Sequence, residues 1–307
     1  MSWSSTRRHF LQTTGWSAAA LSVGMASSAN VSTADDKNKA ADAKKPRLKK
    51  AVKFGMIGIK APIEEKFALI KELGFDGVEL DSPSSVDRDE AVSAKEKTGI
   101  EIHGVVDSIH WNVRLSDPDP TVREKGLAGL KTALKDCHYY GGTTVLLVPG
   151  AVRDKEKENY DQVFERSQAE VRKALPLADE LGVKIAIEVV WNDFLTTPEQ
   201  LIEYVDAFKT PTVGAYYDCS NMLKYGVPSA EWIRKLGKRM LKFDFKGYSH
   251  KNKWVAIGEG DEDWPEVLKA LDEVGYHGWA TAEVQGGGRE VLLDISKRMD
   301  KALGLKS

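Results

Sequence analysis

Cysteine, surplus charge of one sign and long apolar runs are all scarce in this sequence. Only two cysteines, Cys137 and Cys219, occur among 307 residues, so neither a disulfide framework nor a cysteine-based zinc site is indicated. The formal net charge is -2, and the absence of a basic surplus argues against a nucleic-acid partner. The apolar stretch from Thr13 to Ala29 is too short and too polar to span a bilayer. The length of the chain fits one large domain or two small ones.

The first fifty residues lack the pattern of a folded domain. Arg7 and Arg8 precede Phe10 and a modest apolar stretch, an order that resembles a twin-arginine export signal. We assign residues 1–29 to this signal and the Lys-, Ala- and Asp-rich residues 30–50 to a disordered linker. The twin-arginine export machinery reads such a signal as an address. We therefore expect no stable membrane anchor, folding before export, and a periplasmic or exported location.

Residues 51–307 alternate between short β-rich runs and longer amphipathic segments. The first strand is expected over Lys53–Ile59 and the fifth within Val183–Val190, each followed by a helix. Strict alternation predicts parallel strands with right-handed crossovers, and eight such units fit a (β/α)8 TIM barrel. An open, doubly wound sheet is the alternative. It would need a glycine-rich phosphate turn after the first strand, and Gly55–Gly58 does not have that pattern.

Four carboxylates end four successive predicted strands. Glu188 interrupts an otherwise apolar strand, where a lone acid is costly to bury, and Asp218, Asp244 and Glu283 end the next three strands. In a barrel of this type the C-terminal strand ends meet at one mouth. Four acids there would repel one another unless a cation holds them, so we predict a metal site, with a lysine-neutralised structural cluster as the alternative. Oxygen ligands favour Mg²⁺ or Mn²⁺.

The same strand ends resemble those of a known family. The sequence is similar to the sugar phosphate isomerase/epimerase family, the xylose isomerase-like TIM barrels, in these segments: Ile187-Glu188, Tyr217 to Asn221, Lys242 to Lys246, Gly258-Glu259-Gly260 with Asp263-Trp264, and Ala282-Glu283. The resemblance implies one divalent metal bound by a Glu, an Asp, a His and a Glu. These fall on Glu188, Asp218, position 244 and Glu283, and the two glutamates would act as the acid/base pair.

Two positions depart from the family's pattern. Asp244 stands where many members have His, which hardens the site and adds charge. Asn221 stands where the best-known epimerases have a substrate-binding His, and its amide cannot ionise. These departures leave the substrate less determined than the metal.

The expected function is a divalent-metal-dependent sugar isomerase or epimerase, in which Glu188 and Glu283 remove and return a proton through an enediolate. A metal-dependent lyase or dehydratase on keto-sugars or glycosides and a non-catalytic sugar-binding barrel are the alternatives. An exported enzyme is expected to meet free sugars or keto-sugars, and the sequence leaves the oligomeric state open. We expect the carbohydrate to contact residues at strand ends and in loops, namely His103, His110, Trp111, Trp191, Asn192, Asn221, Lys246 and Glu259.

Overall fold

The computed structural model of the protein describes residues 48–305, in which eight parallel strands close into a barrel. The residues assigned to the export signal and most of the linker lie outside the described residues. The barrel strands are β1 Lys49–Lys53, β2 Gly77–Ser82, β3 Glu101–Asp107, β4 Thr144–Leu147, β5 Lys184–Glu188, β6 Val213–Asp218, β7 Met240–Phe245 and β10 Trp279–Ala282. Around the ring the strand order is β1-β10-β7-β6-β5-β4-β3-β2.

Helices follow the strands and cover the outside of the barrel. They are α1 Ile63–Glu72, α2 Arg88–Thr98, α3 Pro120–Tyr140, α4 Tyr160–Leu181, α5 Pro198–Asp206, α6 Cys219–Met222, α7 Ser229–Leu236, α8 Trp264–Glu273 and α9 Arg289–Ala302. Local sequence sets their ends. The side chain of Thr197 caps α5 by accepting from the backbone of Gln200, and Gly182 ends α4 in the left-handed conformation at φ 65°. Among residues 48–305 no helix is long and apolar enough to cross a membrane.

The alternation of side chains along each strand divides the buried residues into two layers. In β5, Ile185 and Ile187 face the helices and belong to the main hydrophobic core. Ala186 faces the other way and packs with Leu146 and Tyr216 in a separate cluster inside the barrel. The period-two pattern thus sends Glu188, in step with Ala186, to the barrel axis.

The TIM barrel expected from the sequence is confirmed, but the expected position of the first strand is wrong. The strand is Lys49–Lys53, and Phe54–Met56 forms a short 3-10 helix where the strand was expected to continue. The lysines of β1 explain the error. Lysines suggest a solvated segment, but here acidic partners allow some of them to be buried. Lys50 is 2% exposed and pairs with Asp300. The last two residues assigned to the linker therefore belong to β1.

A small hairpin also follows β7 at the mouth of the barrel. Its strands, β8 Tyr248–Ser249 and β9 Lys253–Trp254, pair antiparallel. Each has two residues, too few for a periodic pattern, so the sequence did not predict the hairpin.

Candidate active site

Three of the four strand-end carboxylates converge at the mouth of the barrel. Glu188 is the last residue of β5, Asp218 is the last residue of β6, and Glu283 directly follows β10. One oxygen from each lies within 4.8 Å of the others. Parallel strands bring their C-terminal ends to the same rim, so carboxylates far apart in sequence become neighbours. This cluster is the candidate active site.

Glu188 is the buried member of the cluster that lacks a partner. The residue is 5% exposed, and its carboxylate has no hydrogen bond within residues 48–305. Burial, followed by repulsion from Glu283, raises the pKa of Glu188 well above its ordinary value. An unpaired buried carboxylate is unfavourable on its own, which indicates that it serves a ligand.

Lys246 is the cation that the chain itself places in this cluster. Its Nζ lies 2.5 Å from Oδ2 of Asp218 and 2.7 Å from Oε2 of Glu283. Burial opposes a charged ammonium, but Asp218 and Glu283 outweigh it and raise the pKa of Lys246. The other oxygen of Asp218 accepts from the backbone N–H of Ser220 and of Asn221, at 2.8 and 2.9 Å, which fixes the carboxylate at the start of α6.

The cluster differs from the sequence prediction at the fourth proposed ligand, Asp244. This residue is fully buried and lies level with Asp218 in the sheet register, and Oδ2 of its carboxylate pairs with Nζ of Lys53 at 2.8 Å. Lys53 also contacts Glu79, and the Tyr216 hydroxyl lies 3.3 Å from Oδ1 of Asp244. Burial raises the pKa of Asp244 to about 8 despite the neighbouring ammonium. The structure therefore groups Asp244 with the polar interior of the barrel and not with the three converging carboxylates.

The donor set fits a divalent cation. Three carboxylates face one ammonium, so the fully ionised cluster carries two more negative than positive charges. All donors are hard oxygens, the type preferred by Mg²⁺ and Mn²⁺. Lys246 contacts two of the three donors, so a cation bound by all three must share them with the ammonium or displace it.

A cavity of about 1160 Å³ opens above the cluster, and part of the predicted substrate set lines it. Glu188, Glu283, Lys246, His110 and Trp111 all line this cavity. The ring of His110 accepts from the backbone N–H of Val148 through Nδ1, at 3.3 Å, so Nε2 carries the proton of the neutral ring. That Nε2 is buried and has no hydrogen-bond partner in the described chain. Burial lowers the pKa of His110 to about 3, so the ring is a neutral donor at the cavity wall.

Other residues of the predicted substrate set have structural partners and do not line this cavity. His103 stacks on Trp279 inside the barrel, with ring centroids 4.5 Å apart, and its Nδ1 lies 3.0 Å from Nζ of Lys242. The exposed Glu259 pairs with Arg298 at 2.7 Å. Three further residues of the predicted substrate set hold loops in place through hydrogen bonds to backbone carbonyls.

The side chains of Trp191, Asn192 and Asn221 each donate to a backbone carbonyl. The indole N–H of Trp191 donates to the carbonyl of Asn221 at 2.6 Å. The amide of Asn192 donates to the carbonyl of Gly150 at 2.7 Å, and the Asn221 amide lies 3.4 Å from the carbonyl of Val189. Asn192 and Trp191 do line a smaller neighbouring pocket of about 380 Å³.

Lys53 and Trp254 are among the residues of the cavity wall that were not predicted from the sequence. Lys53 was missed because β1 was expected at Lys53–Ile59 and lies at Lys49–Lys53. Trp254 was missed because it lies in the hairpin. The available signal was a tryptophan directly after the polar residues 249–253, and it is a weak one.

With this geometry established, comparison with known proteins shows the class to which the chain belongs. The model of the xylose isomerase-like TIM barrel family matches residues 67–302. The chain belongs to this family, which confirms the resemblance read from the strand-end segments.

Among curated relatives, the chain is 24% identical over 228 residues to the L-ribulose-5-phosphate 3-epimerase UlaE of Escherichia coli, covering 70% of this chain and 79% of that protein. It is 23% identical over 192 residues to the uncharacterized protein MJ1311 of Methanocaldococcus jannaschii. That match covers 60% of this chain and 64% of MJ1311, slightly less than two thirds of its length.

Solved structures show the same fold. The 3-keto-D-glucoside 4-epimerase YcjR of E. coli superposes with a TM-score of 0.71 at 17% identity, covering 83% of this chain and 99% of YcjR. The IolI protein, whose crystal structure contains a zinc atom, gives a TM-score of 0.70 at 17% identity, covering 84% of this chain and 98% of IolI. The named curated relative and YcjR are both sugar epimerases.

Proposed function

We propose that this protein is a divalent-metal-dependent sugar epimerase or isomerase. The observation that carries the proposal is the convergence of Glu188, Asp218 and Glu283 at the base of a large cavity, with Glu188 buried and without a hydrogen-bond partner among residues 48–305. Membership of a family whose named relatives include sugar epimerases supports the choice of substrate class.

The three converging carboxylates would hold the metal. A bound divalent cation would stabilise negative charge on the adjacent oxygens of a keto-sugar and so ease loss of the proton between them. Mg²⁺ or Mn²⁺ is our proposal for its identity, because the donors are carboxylate oxygens.

The chain's own residues would move the proton. Glu188 ends β5 and Glu283 directly follows β10, two strands that are separated around the ring by β6 and β7, so the two carboxylates approach the cavity from different sides. One carboxylate takes the proton from the carbon next to the carbonyl, and the C–H electrons form the enediolate. The other, as a carboxylic acid, returns a proton to the opposite face, which regenerates the carbonyl with the carbon inverted. The Nε2 proton of His110 can bind a substrate oxygen.

Hydrogen exchange tests this proposal. We would incubate the protein and Mn²⁺ with free ketoses and 3-keto-sugars in D₂O, and compare the Glu188→Gln and Glu283→Gln variants with the Glu259→Gln surface variant. The expected result is deuterium next to the carbonyl with wild type and Glu259→Gln, and its loss in the two site variants. Binding of sugar without exchange would favour a sugar-binding protein, and loss of water or an aglycone would favour a lyase.

The location of the protein is a separate proposal. The Arg7-Arg8 pair ahead of an apolar stretch supports export through the twin-arginine machinery to the periplasm or beyond.

A further inference from the structure

The β8–β9 hairpin places one tryptophan face at the wall of the cavity. Trp254 is 48% exposed and lines the cavity, although most large apolar side chains of the described chain are buried. One face of its indole stacks on Trp191, with centroids 4.8 Å apart and planes 16° apart. Tyr248 meets it edge-on at 5.5 Å. Because one face of the Trp254 indole is covered and about half of the side chain is exposed, its other face is available to a ligand in the cavity.

This aromatic platform is held rigidly. The indole N–H of Trp191 is bonded to the Asn221 carbonyl, and Nζ of Lys224 lies 4.8 Å from the Trp191 ring centroid. The hairpin itself is tied down at Tyr248, whose backbone N–H donates to Glu262 at 2.8 Å. Its tip is held by His250, whose backbone N–H donates to Asp261 at 2.7 Å. A preorganised aromatic face loses little entropy when a ligand stacks on it.

The platform lies beside the reacting centre. Nζ of Lys246, which touches Asp218 and Glu283, is 5.9 Å from the centroid of the Trp254 ring. A sugar bound at the carboxylates therefore has Trp254 next to it, at the position of a neighbouring substituent. The cavity volume of about 1160 Å³ exceeds the range of roughly 300–1,000 Å³ usual for small-ligand pockets, so there is room for more than one sugar ring.

The charges of the cavity wall argue against a phosphorylated sugar as the larger ligand. Within residues 48–305, each lysine or arginine that lines the cavity is already paired with carboxylates. Lys53 pairs with Asp244 and Lys246 with Asp218. Arg298 pairs with Glu259. In the metal-free protein a phosphate group would have to break one of these pairs, whereas an uncharged sugar ring needs only an aromatic face and hydrogen-bond donors.

We propose that the exposed face of Trp254 forms a second subsite, which binds the pyranose ring adjacent to the reacting one, so that the substrate is an uncharged disaccharide-type glycoside. This inference rests on the proposed function for the identity of the reacting centre. Carbohydrate rings have C–H faces that pack on aromatic planes, and a rigid indole supplies a large apolar area for this contact. The subsite determines which sugar binds, and the carboxylates carry out the reaction.

Equilibrium binding tests the subsite without relying on turnover. We would measure the Kd of cellobiose and of D-glucose for wild type and for Trp254→Ala, Trp254→Phe and Tyr139→Ala by calorimetry. Tyr139 is the matched control, because it is an aromatic residue of similar exposure on α3, away from the cavity. Wild type should bind cellobiose more tightly than glucose. Trp254→Ala should reduce this preference about tenfold, while Trp254→Phe keeps most of it and Tyr139→Ala all of it.

Equal loss of both sugars in Trp254→Ala, or no preference for cellobiose in wild type, would overturn the second subsite. The exchange experiment in D₂O, run with the 3-keto derivatives of the same two sugars, separates the two proposals. Exchange with both sugars but no dependence of their ratio on Trp254 contradicts the subsite alone. Absence of exchange together with a Trp254-dependent preference for cellobiose contradicts the proposed function and supports the subsite.

Discussion

Replacement of Lys246 by methionine tests whether its ammonium competes with a divalent metal for the carboxylate cluster. The ammonium makes two charge-assisted hydrogen bonds, to Asp218 at 2.5 Å and to Glu283 at 2.7 Å. A metal held by all three carboxylates must displace at least part of this arrangement. At about 1.5 kcal/mol for each such bond, the lower end of the usual range, displacement costs roughly 3 kcal/mol. Methionine keeps the length of the side chain and removes that cost.

The expected result is a Kd for Mn²⁺ about a hundredfold lower in Lys246→Met than in wild type, since about 1.4 kcal/mol corresponds to a factor of ten. The metal-free variant should also be less stable by roughly 3 kcal/mol, because removal of one partner leaves buried carboxylates uncompensated. Added Mn²⁺ should recover that stability, since a ligand that binds only the folded state stabilises it. Calorimetric titration gives the Kd, and thermal unfolding with and without Mn²⁺ gives the stability.

The control is Lys224→Met, which removes an exposed lysine near Trp191 that touches none of the three carboxylates. It should change neither the Kd nor the metal-dependent stability. If folded Lys246→Met binds Mn²⁺ with the affinity of wild type, or more weakly, the ammonium does not compete for the site. The reasoning from hydrogen-bond geometry would then be refuted.

Three further predictions address the rest of the site and the location. Burial and the neighbouring Glu283 raise the pKa of Glu188, whereas the pKa of an unfolded glutamate is about 4.3. Between these two pKa values the native metal-free protein holds a proton on Glu188 that the unfolded chain has lost. Its free energy of unfolding should therefore rise as pH falls from neutral towards that lower value, and the slope measured by urea unfolding should flatten in Glu188→Gln; an unchanged slope contradicts this. At a pH above the Asp244 pKa of about 8, Asp244→Asn should cost about 3 kcal/mol by removing a charged partner of Lys53, yet leave the Kd for Mn²⁺ within a few-fold of wild type; much weaker Mn²⁺ binding would make Asp244 a ligand. Replacement of Arg7 and Arg8 by lysine should retain the full-length protein in the cytoplasm, as seen by cell fractionation, and unaltered export would reject the twin-arginine assignment.

The barrel and its strand-end acids could be predicted from the sequence because both depend on local periodicity. Glu188 alternates with Ala186, and period two along a strand fixes which face each side chain takes. The same rule placed Asp218 at the end of β6. Where the pattern was obscured, prediction failed. The lysines of β1 suggested a solvated linker, since the buried partners of Lys50 and Lys53 are distant in sequence.

The assignment of Asp244 shows a second limit. Its position at a strand end and its resemblance to the family's ligand pattern both indicated a metal ligand, and neither shows which partner its carboxylate meets inside the barrel. Lys53, 191 positions earlier in the chain, lies across the interior and pairs with it. Lys246, expected from the sequence to contact the carbohydrate, is the cation that reaches the carboxylates.

The sequence by itself determined the fold class, the family and three carboxylates of the candidate site, because each depends on short-range spacing and on residue type. Tertiary structure decided which charges meet. It paired Asp244 with Lys53, set Lys246 between Asp218 and Glu283, and brought Trp254 to the cavity on the hairpin of residues 248–254. The physical reason is that ion pairing and stacking depend on distances of a few ångströms between strands and loops remote in sequence, and only closure of the barrel sets those distances.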